Sequence, residues 1–419
     1  MNTKSDYSAM ARTNPVFMTA KTAVCLMAQA EIPDAERIVR SLKKENKEPL
    51  QDLSGSAVIL GNALVVEAKY RTMCSLIENS GYRTCVDLPC GYTPKALHLT
   101  SKGIHFVGLD LPIVVQEMES VMHSLAAYPE RMAFHPVDAT NYDSLDAALE
   151  KTAGSLCITT EGMMMYFTES ELEAVVNNVC TLLEAHGGAW ITPDPEFMIQ
   201  FFLTFQSLFG EDWMKKLEAA GNAAMKQSDV ANLSNSFILD AADIPGSVKR
   251  TEAFLAKYGL KAEKLNLAEY MPELSTYRFL TAEQIVQFKK AMGNCHYWVI
   301  TLVDGARKRQ SDTMKKEQPF SMYYTVENGM FRVSLCGRLD SITAPELLLE
   351  WEKEKNETNF ERAIVNCERL TFISSAGVRV LLTMQEKTKC GVTLIHVSPL
   401  VKKLLEQNKN LSFTEICEQ

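Results

Sequence analysis

Residues 84–93 of the sequence are TCVDLPCGYT, and the pattern of this segment predicts the fold of the first part of the chain. A short apolar run ends at Asp87, a turn containing Pro89 and Gly91 follows, and a helical pattern begins after it. A strand, a tight turn and a helix in that order bring the backbone close to a ligand, and exposed amide groups in the turn can bind a carboxylate. We therefore expect a ligand-binding turn here.

Further apolar runs follow this stretch, and each ends in an acidic or turn residue. Helical segments separate them, so the order predicts a mostly parallel, doubly wound, Rossmann-like α/β sheet. Ligands of such sheets bind beyond the carboxyl ends of the strands, where these acids lie. The runs are HFVGLDL (105–111), MAFHPVD (132–138), SLCITTEG (155–162) and AWITPDP (189–195). A further strand-like segment, HYWVITLV (296–303), precedes the domain boundary.

The strand ends supply the candidate binding residues. A carboxylate at Asp110 can accept hydrogen bonds from both hydroxyls of a ribose. Asp138 is placed to accept from an adenine amino group, with the amide of Ala139 meeting a ring nitrogen. Glu161 and Tyr166 put a carboxylate and an aromatic ring beside the reacting end of a ligand. An acid at a strand end also commonly caps a helix, and the Met163–Met165 run also suits a core.

In order and spacing, this set resembles the class I methyltransferase pattern. More narrowly, the chain resembles the leucine carboxyl methyltransferase family, which includes many bacterial O-methyltransferases, over residues 15–304. The strings that carry the resemblance are D-L-P (110–112), V-D-A-T-N (137–141) and E-G-x-x-x-Y-F (161–167). The resemblance implies S-adenosylmethionine as cofactor and S-adenosylhomocysteine as product. It assigns ribose to Asp110, adenine to Asp138 and Ala139, and the methionine end to Glu161.

The same resemblance implies further residues at the methionine end. Arg71, in the string Y-R-T, matches the basic residue that pairs with the methionine carboxylate. Asp87, Pro89 and Gly91 match the turn that faces the cofactor. The family usually has Gly-x-Gly in this turn, whereas Pro89 stands at the first position here. Proline lacks an amide hydrogen, so one backbone contact to the cofactor is lost.

Methyl transfer from a sulfonium requires mainly alignment of the acceptor with the methyl group, and no metal. The acceptor, a small molecule or a protein, can be a carboxylate, which needs no base, or a hydroxyl, which needs one. Tyr166, His135 and His186 are weak candidates for a base, and no catalytic residue is assigned. Two functions stay open: an O-methyltransferase, or a non-catalytic adenosylmethionine sensor that acts as an anti-sigma factor antagonist.

The composition of the chain changes near residue 305. The sequence predicts a polar linker over 305–319, between a first domain (1–304) and a second (320–419). Within the first domain, we expect a helical cap over about 1–80 and a lid-like helical insertion over about 196–256. The second domain alternates strands and helices, beginning with a hairpin that turns at Asn328 and Gly329.

Two strings identify a resemblance in the second domain: GRLDSITAPELL (337–348) and ERLTFISSAGVRVLL (368–382). They resemble the STAS domain of anti-sigma factor antagonists, over nearly all of 321–419. The resemblance places the phosphorylated serine at Ser375, with Ser374 as second choice, and implies an anti-sigma factor kinase or other signalling protein as partner. A phosphate there would lie at the positive end of a helix. The alternative is that both serines merely cap that helix.

The composition excludes several other classes of protein. The chain has 419 residues and a net charge of −9, which disfavours nucleic acid as a partner. No apolar run approaches the roughly 20 residues that span a bilayer, so we expect a cytoplasmic protein that does not enter a membrane. The 11 cysteines and 7 histidines are scattered. This spacing indicates reduced thiols and no metal site.

Overall fold

The computed structural model describes residues 15–42, 56–215, 235–303, 318–406 and 415–418. The chain divides into two compact units. Most of the described residues up to 303 form the first unit, and those from 318 onward belong to the second. The linker predicted for 305–319 lies almost wholly outside the described residues, as does the middle of the predicted insertion.

The first unit is built on a seven-stranded sheet in the order β3-β2-β1-β4-β5-β7-β6. All neighbouring strands are parallel except β7, which runs antiparallel to both β5 and β6. This is the doubly wound, Rossmann-like sheet that the sequence predicts. Its strands are β1 (Thr84–Asp87), β2 (His105–Asp110), β3 (Met132–Pro136), β4 (Leu156–Thr159), β5 (Gly188–Thr192), β6 (Leu260–Asn266) and β7 (His296–Leu302).

Helices precede and connect these strands. Helix α3 (Ala57–Asn79) contacts α4 (Lys95–Ser101), which follows β1. It also contacts α8 (Phe197–Phe209), which follows β5, and α8 contacts α11 (Ala282–Met292). The helices predicted before residue 80 are present as α1 to α3. The helices of this unit are α1 (Pro15–Gln29), α2 (Ala35–Leu42), α3 (Ala57–Asn79), α4 (Lys95–Ser101), α5 (Pro112–Leu125), α6 (Tyr142–Leu149), α7 (Glu169–His186), α8 (Phe197–Phe209), α9 (Ile244–Ala256), α10 (Leu267–Tyr270) and α11 (Ala282–Met292).

Local sequence explains how α7 is joined to β5. The helix begins with a capping box, in which Thr168 and Glu171 satisfy each other's backbone amides. It ends at Gly187, and Gly188 then starts β5 with a φ of +108°. A Cβ atom on Gly188 would lie 1.9 Å from the carbonyl oxygen of Leu156 in β4. Only glycine therefore allows β5 to approach β4 at this point.

The second unit has a five-stranded sheet in the order β12-β11-β10-β9-β8. The predicted hairpin is confirmed: β8 and β9 are antiparallel, and Asn328 and Gly329 between them have φ angles of 51° and 71°. The other neighbouring strands are parallel. The elements are β8 (Ser321–Glu327), β9 (Met330–Leu339), α12 (Ala344–Glu357), β10 (Arg362–Ile373), α13 (Ser375–Lys387), β11 (Val392–Val397), α14 (Pro399–Glu406) and β12 (Glu415–Glu418).

Among the described residues, no helix is both long and apolar enough to cross a membrane. No group of three or more metal-ligating side chains in the described ranges is arranged to hold an ion. The structure describes the side chains of ten cysteines, all of them free thiols, and eight of these are buried. Burial raises the pKa of the Cys74 thiol to about 12, which keeps it protonated.

Candidate functional site

The predicted binding residues meet along one edge of the first sheet. Strands β1, β2 and β4 are parallel neighbours, so their carboxyl ends lie side by side. Asp87 and Asp110 are the last residues of β1 and β2. Glu161 comes two residues after β4, and Asp138 two residues after β3. The structure therefore brings these four acids to the edge where ligands of such sheets bind.

The turn after β1 is bound closely to its neighbours. The backbone amide of Leu88 donates to the carbonyl of Thr159 at 2.9 Å, and that of Cys90 donates to the carbonyl of Leu109 at 3.0 Å. The amide of Gly91, whose φ is +53°, donates to Oδ2 of Asp110 at 2.7 Å. The expectation that amide groups of this turn are exposed for a carboxylate is therefore wrong for these three.

Asp87 is completely buried. Its Oδ1 accepts hydrogen bonds from Nζ of Lys95 at 2.9 Å and from Oγ1 of Thr159 at 2.6 Å. Its Oδ2 is also buried, and it has no hydrogen-bond partner among the described residues. A buried oxygen of a charged group without a donor is costly, so this atom marks a place where a ligand donor fits.

Two lysines form a buried ionic cluster with Asp87 and Glu161. Nζ of Lys95 lies 3.8 Å from Glu161, and so does Nζ of Lys69 on α3. Burial alone would lower the pKa of Lys95, but the charges of Asp87 and Glu161 raise it well above its ordinary value. Lys69 also lies over the ring of Phe197, 4.8 Å from its centre. Lys95 therefore stays charged beside Asp87 and Glu161. Neither lysine was predicted from the sequence.

Arg71, predicted to bind the methionine carboxylate, is held by other groups in this structure. Its Nε donates to Oε1 of Glu67 at 2.7 Å, and its Nη2 donates to Oγ of Ser275 at 3.0 Å. Glu67 is completely buried and also accepts from the amides of Ser275 and Thr276. Burial opposes ionisation of Glu67, but these hydrogen bonds prevail and lower its pKa. Arg71 thus helps to fix the segment around residue 275.

The segment after β4 is organised by a residue that the sequence did not single out. Asp194, completely buried, accepts hydrogen bonds from the backbone amides of Gly162, Met163 and Met164 at 2.6, 3.0 and 3.0 Å. These bonds fix the backbone immediately after Glu161. The prediction that Met163–Met165 belong to the core is confirmed, since their exposed fractions are 8%, 0% and 2%.

The remaining predicted residues of this unit are Asp138, Ala139 and Tyr166. Oδ1 of Asp138 accepts from the amide of Thr140 at 2.8 Å and from its hydroxyl group. The carbonyl of Ala139 accepts from Nδ2 of Asn178 at 2.9 Å. Tyr166 is half-buried and ends a short 3-10 helix. The carboxylate of Asp138 therefore supports the turn in which it lies, as the capping interpretation allows.

A further pair of side chains occupies the same edge of the sheet. Glu196 follows β5, and only 4% of it is exposed. Its Oε1 lies 3.1 Å from Nδ1 of His296, the first residue of β7, and its Oε2 accepts from the backbone amide of His296 at 2.7 Å. Nε1 of Trp298 donates to Oε1 at 3.2 Å. This pair was not predicted, because its members are separated by 100 residues in the chain.

In the second unit, the two serines have different positions. Ser374 is the N-cap of α13, and its Oγ accepts from the amides of Ala376 and Gly377 at 3.2 and 3.4 Å. Ser375 is the first residue of the helix and is half-buried, whereas Ser374 is buried. The capping alternative therefore holds for Ser374.

Comparison with protein-family models matches residues 323–418 to the STAS domain. The STAS domain predicted for this part of the sequence is therefore confirmed. None of the curated proteins compared is significantly similar to the sequence.

Three of the solved structures that are similar to this chain are methyltransferases, and their similarity to it is low. The first is an O-methyltransferase family protein from Burkholderia thailandensis, with 12% identity over 66% of this chain and 71% of that one, and a TM-score of 0.32. The second is magnesium protoporphyrin IX methyltransferase from Synechocystis PCC 6803, with 11% identity over 65% of this chain and 95% of that one, and a TM-score of 0.35. The third is human N-acetylserotonin methyltransferase, with 11% identity over 66% of this chain and 62% of that one, and a TM-score of 0.30. These scores are too low to carry a conclusion about this chain.

Proposed function

We propose that the first unit is an S-adenosylmethionine-dependent O-methyltransferase and that the STAS domain regulates it through phosphorylation or partner binding. The observation that carries the first part is the convergence of Asp87, Asp110, Asp138 and Glu161 at the carboxyl edge of a Rossmann-like sheet. The motif strings around these residues support the same function. The narrower relationship, to leucine carboxyl methyltransferases, rests on those strings alone.

The residues at the edge suit the chemical groups of S-adenosylmethionine. Asp110 would accept from the ribose hydroxyls, and the turn at Asp138 and Ala139 would receive adenine. The methionine part carries an ammonium and a carboxylate. The ammonium fits the partnerless Oδ2 of Asp87 and the carboxylate of Glu161, while Lys69 supplies a cation for the ligand carboxylate. Arg71 is the second choice for that role, because Glu67 and Ser275 bind it already.

When bound, S-adenosylmethionine supplies an activated methyl group, so the protein has mainly to bind and orient the two reactants. Asp194 holds the segment after Glu161 in place, which fixes the position of that carboxylate. Tyr166 remains the substrate-side candidate. The buried methionines beside it exclude water from this part of the edge.

Calorimetric titration of the full chain with S-adenosylmethionine and S-adenosylhomocysteine tests the binding step. Asp110→Ala removes a charged acceptor for two ribose hydroxyls, and each such bond contributes roughly 1.5 to 3 kcal/mol, so most of the affinity is lost. Asp110 also accepts a hydrogen bond from the backbone amide of Gly91, so the substitution can lower stability as well. The melting temperature of the variant is therefore measured in parallel. Asp146→Ala, at an exposed position of α6, is the matched control. Unchanged affinity in Asp110→Ala would place the ligand elsewhere.

The second candidate is a non-catalytic sensor of adenosylmethionine that acts as an anti-sigma factor antagonist. The confirmed STAS domain favours it, because the resemblance implies a signalling partner. Transfer of a labelled methyl group to components of a cell extract separates the two candidates. A sensor binds the ligand and leaves every acceptor unlabelled, whereas an enzyme labels at least one.

For the STAS domain, we propose Ser375 as the phosphorylated residue. It lies in the first turn of α13, where the helix dipole favours a negative charge. Ser374 is buried and engaged as the cap, which makes it the second choice. A kinase partner should add one phosphate to the wild-type protein and none to Ser375→Ala. Labelling that persists in this variant moves the site to Ser374.

A further inference from the structure

We propose that His296, oriented by Glu196, is the general base for a hydroxyl acceptor, so that the methyl group is transferred to an alcohol or a phenol. This inference rests on the proposed methyltransferase function and names the class of acceptor. It assigns a catalytic role to a histidine that was not among the candidate bases named from the sequence.

The topology places His296 at the ligand-binding edge. Because β7 runs antiparallel to β5, its first residue lies where β5 ends. Glu196 lies four residues beyond the end of β5, at the same edge. His186, by contrast, ends α7 just before β5 begins, which places it at the opposite edge of the sheet. His135, in β3, forms no ion pair with a carboxylate of the described residues.

The contacts of Glu196 fix the orientation of the imidazole. Its two oxygens accept from the backbone and Nδ1 of His296 and from the indole of Trp298, so the nearly buried carboxylate has little freedom to move. With Nδ1 donating to the carboxylate, a neutral imidazole carries its lone pair on Nε2. The side chain of His296 is 33% exposed, which allows a substrate to reach the ring. A histidine oriented by a carboxylate is the arrangement of a general base.

The His296–Glu196 pair is joined to the methyl-transfer site by one short segment. Residues 194–197 contain Asp194, which fixes the backbone after Glu161, then Glu196, and then Phe197 under the ammonium of Lys69. Lys69 in turn lies 3.8 Å from Glu161. The same segment therefore positions both the candidate cofactor residues and the candidate base.

In the proposed step, the hydroxyl oxygen forms a bond to the methyl carbon and its proton moves to Nε2 of His296. The carbon–sulfur bond breaks, and its electron pair remains on sulfur. The positive charge thus moves from the sulfonium to the imidazolium, where Glu196 stabilises it. A carboxylate acceptor is already anionic at neutral pH and would need no such base.

The charges around His296 determine the expected pH dependence. The hydrogen bond to Glu196 raises the pKa of His296, while burial and the charge of Lys264 act in the opposite direction. The base must be neutral to accept a proton. The rate should therefore rise as the pH increases through this raised pKa, and it should fall at lower pH.

The test uses the full chain, labelled S-adenosylmethionine and a cell extract, with catechol and 4-methylphenol as added hydroxyl probes and benzoate as the carboxylate probe. We expect labelled products that resist mild alkali, as methyl ethers do. His296→Gln should lower kcat about 100-fold or more while leaving the affinity for S-adenosylmethionine unchanged. His105→Gln, which removes an exposed histidine at the start of β2, is the matched control.

A second variant separates a catalytic from a structural role. Glu196→Gln removes the charge that raises the pKa of His296, so the acid limb of the pH–rate profile should move to lower pH. Alkali-labile methyl esters as the main product, or full activity in His296→Gln, would overturn the base assignment and leave methyl transfer standing. Binding without transfer to any acceptor would overturn the enzyme proposal itself.

Discussion

Replacing Asp194 by asparagine tests whether one buried carboxylate organises the site. Oδ1 accepts from the amide of Gly162, and Oδ2 accepts from the amides of Met163 and Met164. An asparagine has nearly the same shape, but it has one acceptor oxygen and carries no charge. If that oxygen stays with Met163 and Met164, the new NH2 group faces the Gly162 amide, and two donors oppose each other.

The size of the effect follows from these contacts. Hydrogen bonds to a charged group contribute about 1.5 to 3 kcal/mol each, and neutral ones about 0.5 to 1.5 kcal/mol. Three charged bonds become at most two neutral ones. The neutral side chain no longer buries a charge, and this offsets part of the loss. We therefore expect the free energy of local opening of this segment to fall by about 3 kcal/mol.

Hydrogen exchange measures this segment directly, because the affected amides belong to residues 162–164. In Asp194→Asn they should exchange at least tenfold faster, and the affinity for S-adenosylmethionine should fall because Glu161 is no longer fixed. Asp240→Asn is the matched control, since that exposed aspartate accepts one backbone amide, from Ala242 at 2.9 Å. Unaltered exchange at 162–164 in Asp194→Asn would refute the assigned role.

Four other substitutions have defined outcomes. Lys95→Met leaves the buried Asp87 without its ammonium partner, so thermal melting should show a loss of about 3 to 5 kcal/mol. Gly188→Ala puts a Cβ atom 1.9 Å from a backbone oxygen of the neighbouring strand, and the protein should melt far lower or fail to fold, as a melting curve will show. Ser374→Ala should cost about 1 kcal/mol of stability through loss of the cap, measured by denaturant titration. Ser375→Ala should cost less in the same titration while abolishing phosphate incorporation from labelled ATP.

The parts of the fold that the sequence predicts are those with local signals. Strands β1 to β5 are short apolar runs that end in acidic or turn residues, so their pattern is visible within a few positions. The hairpin turn is equally local, because Asn328 and Gly329 tolerate the positive φ angles that it requires. The STAS domain was identified for the same reason, since both of its strings are short and continuous.

Other elements gave no such signal. Strand β6 has the sequence LKAEKLN, in which only Leu260 is buried, because the strand lies at the edge of the sheet. An edge strand of this kind satisfies half of its backbone through β7 and needs little apolar surface. Strand β12, Glu415–Glu418, was also not predicted; it pairs only with β11.

The candidate site was predicted where its residues follow strands and missed where they depend on distant partners. Arg71 has the right charge, but Ser275, 204 residues away, helps to hold it elsewhere. Asp194 is an acid at a strand end like the others, and nothing nearby in the sequence shows that it binds the segment after Glu161. Its role depends on the parallel pairing of β4 with β5, which brings the ends of both strands together in the folded chain.

The effect of Pro89 on the amide donors of the turn differs in the folded chain from what the sequence suggests. The sequence suggests that the turn loses one amide contact to the cofactor. In the structure the amides of Leu88, Cys90 and Gly91 are already bound to neighbouring strands and to Asp110, so the turn offers fewer free donors. A ligand carboxylate at this edge therefore needs a cation from a side chain.

The buried ionic cluster supplies that cation. Lys95 neutralises Asp87 directly, at 2.9 Å, whereas Lys69 approaches Glu161 only to 3.8 Å. In the proposed site, the looser pair would open to admit the ammonium and the carboxylate of an amino acid. Each of these groups would replace one partner, so no buried charge would be left unpaired. The side chains of α3 and α4 would then provide the charge that backbone amides provide in a glycine-rich turn, and we propose that the site binds a zwitterion despite Pro89.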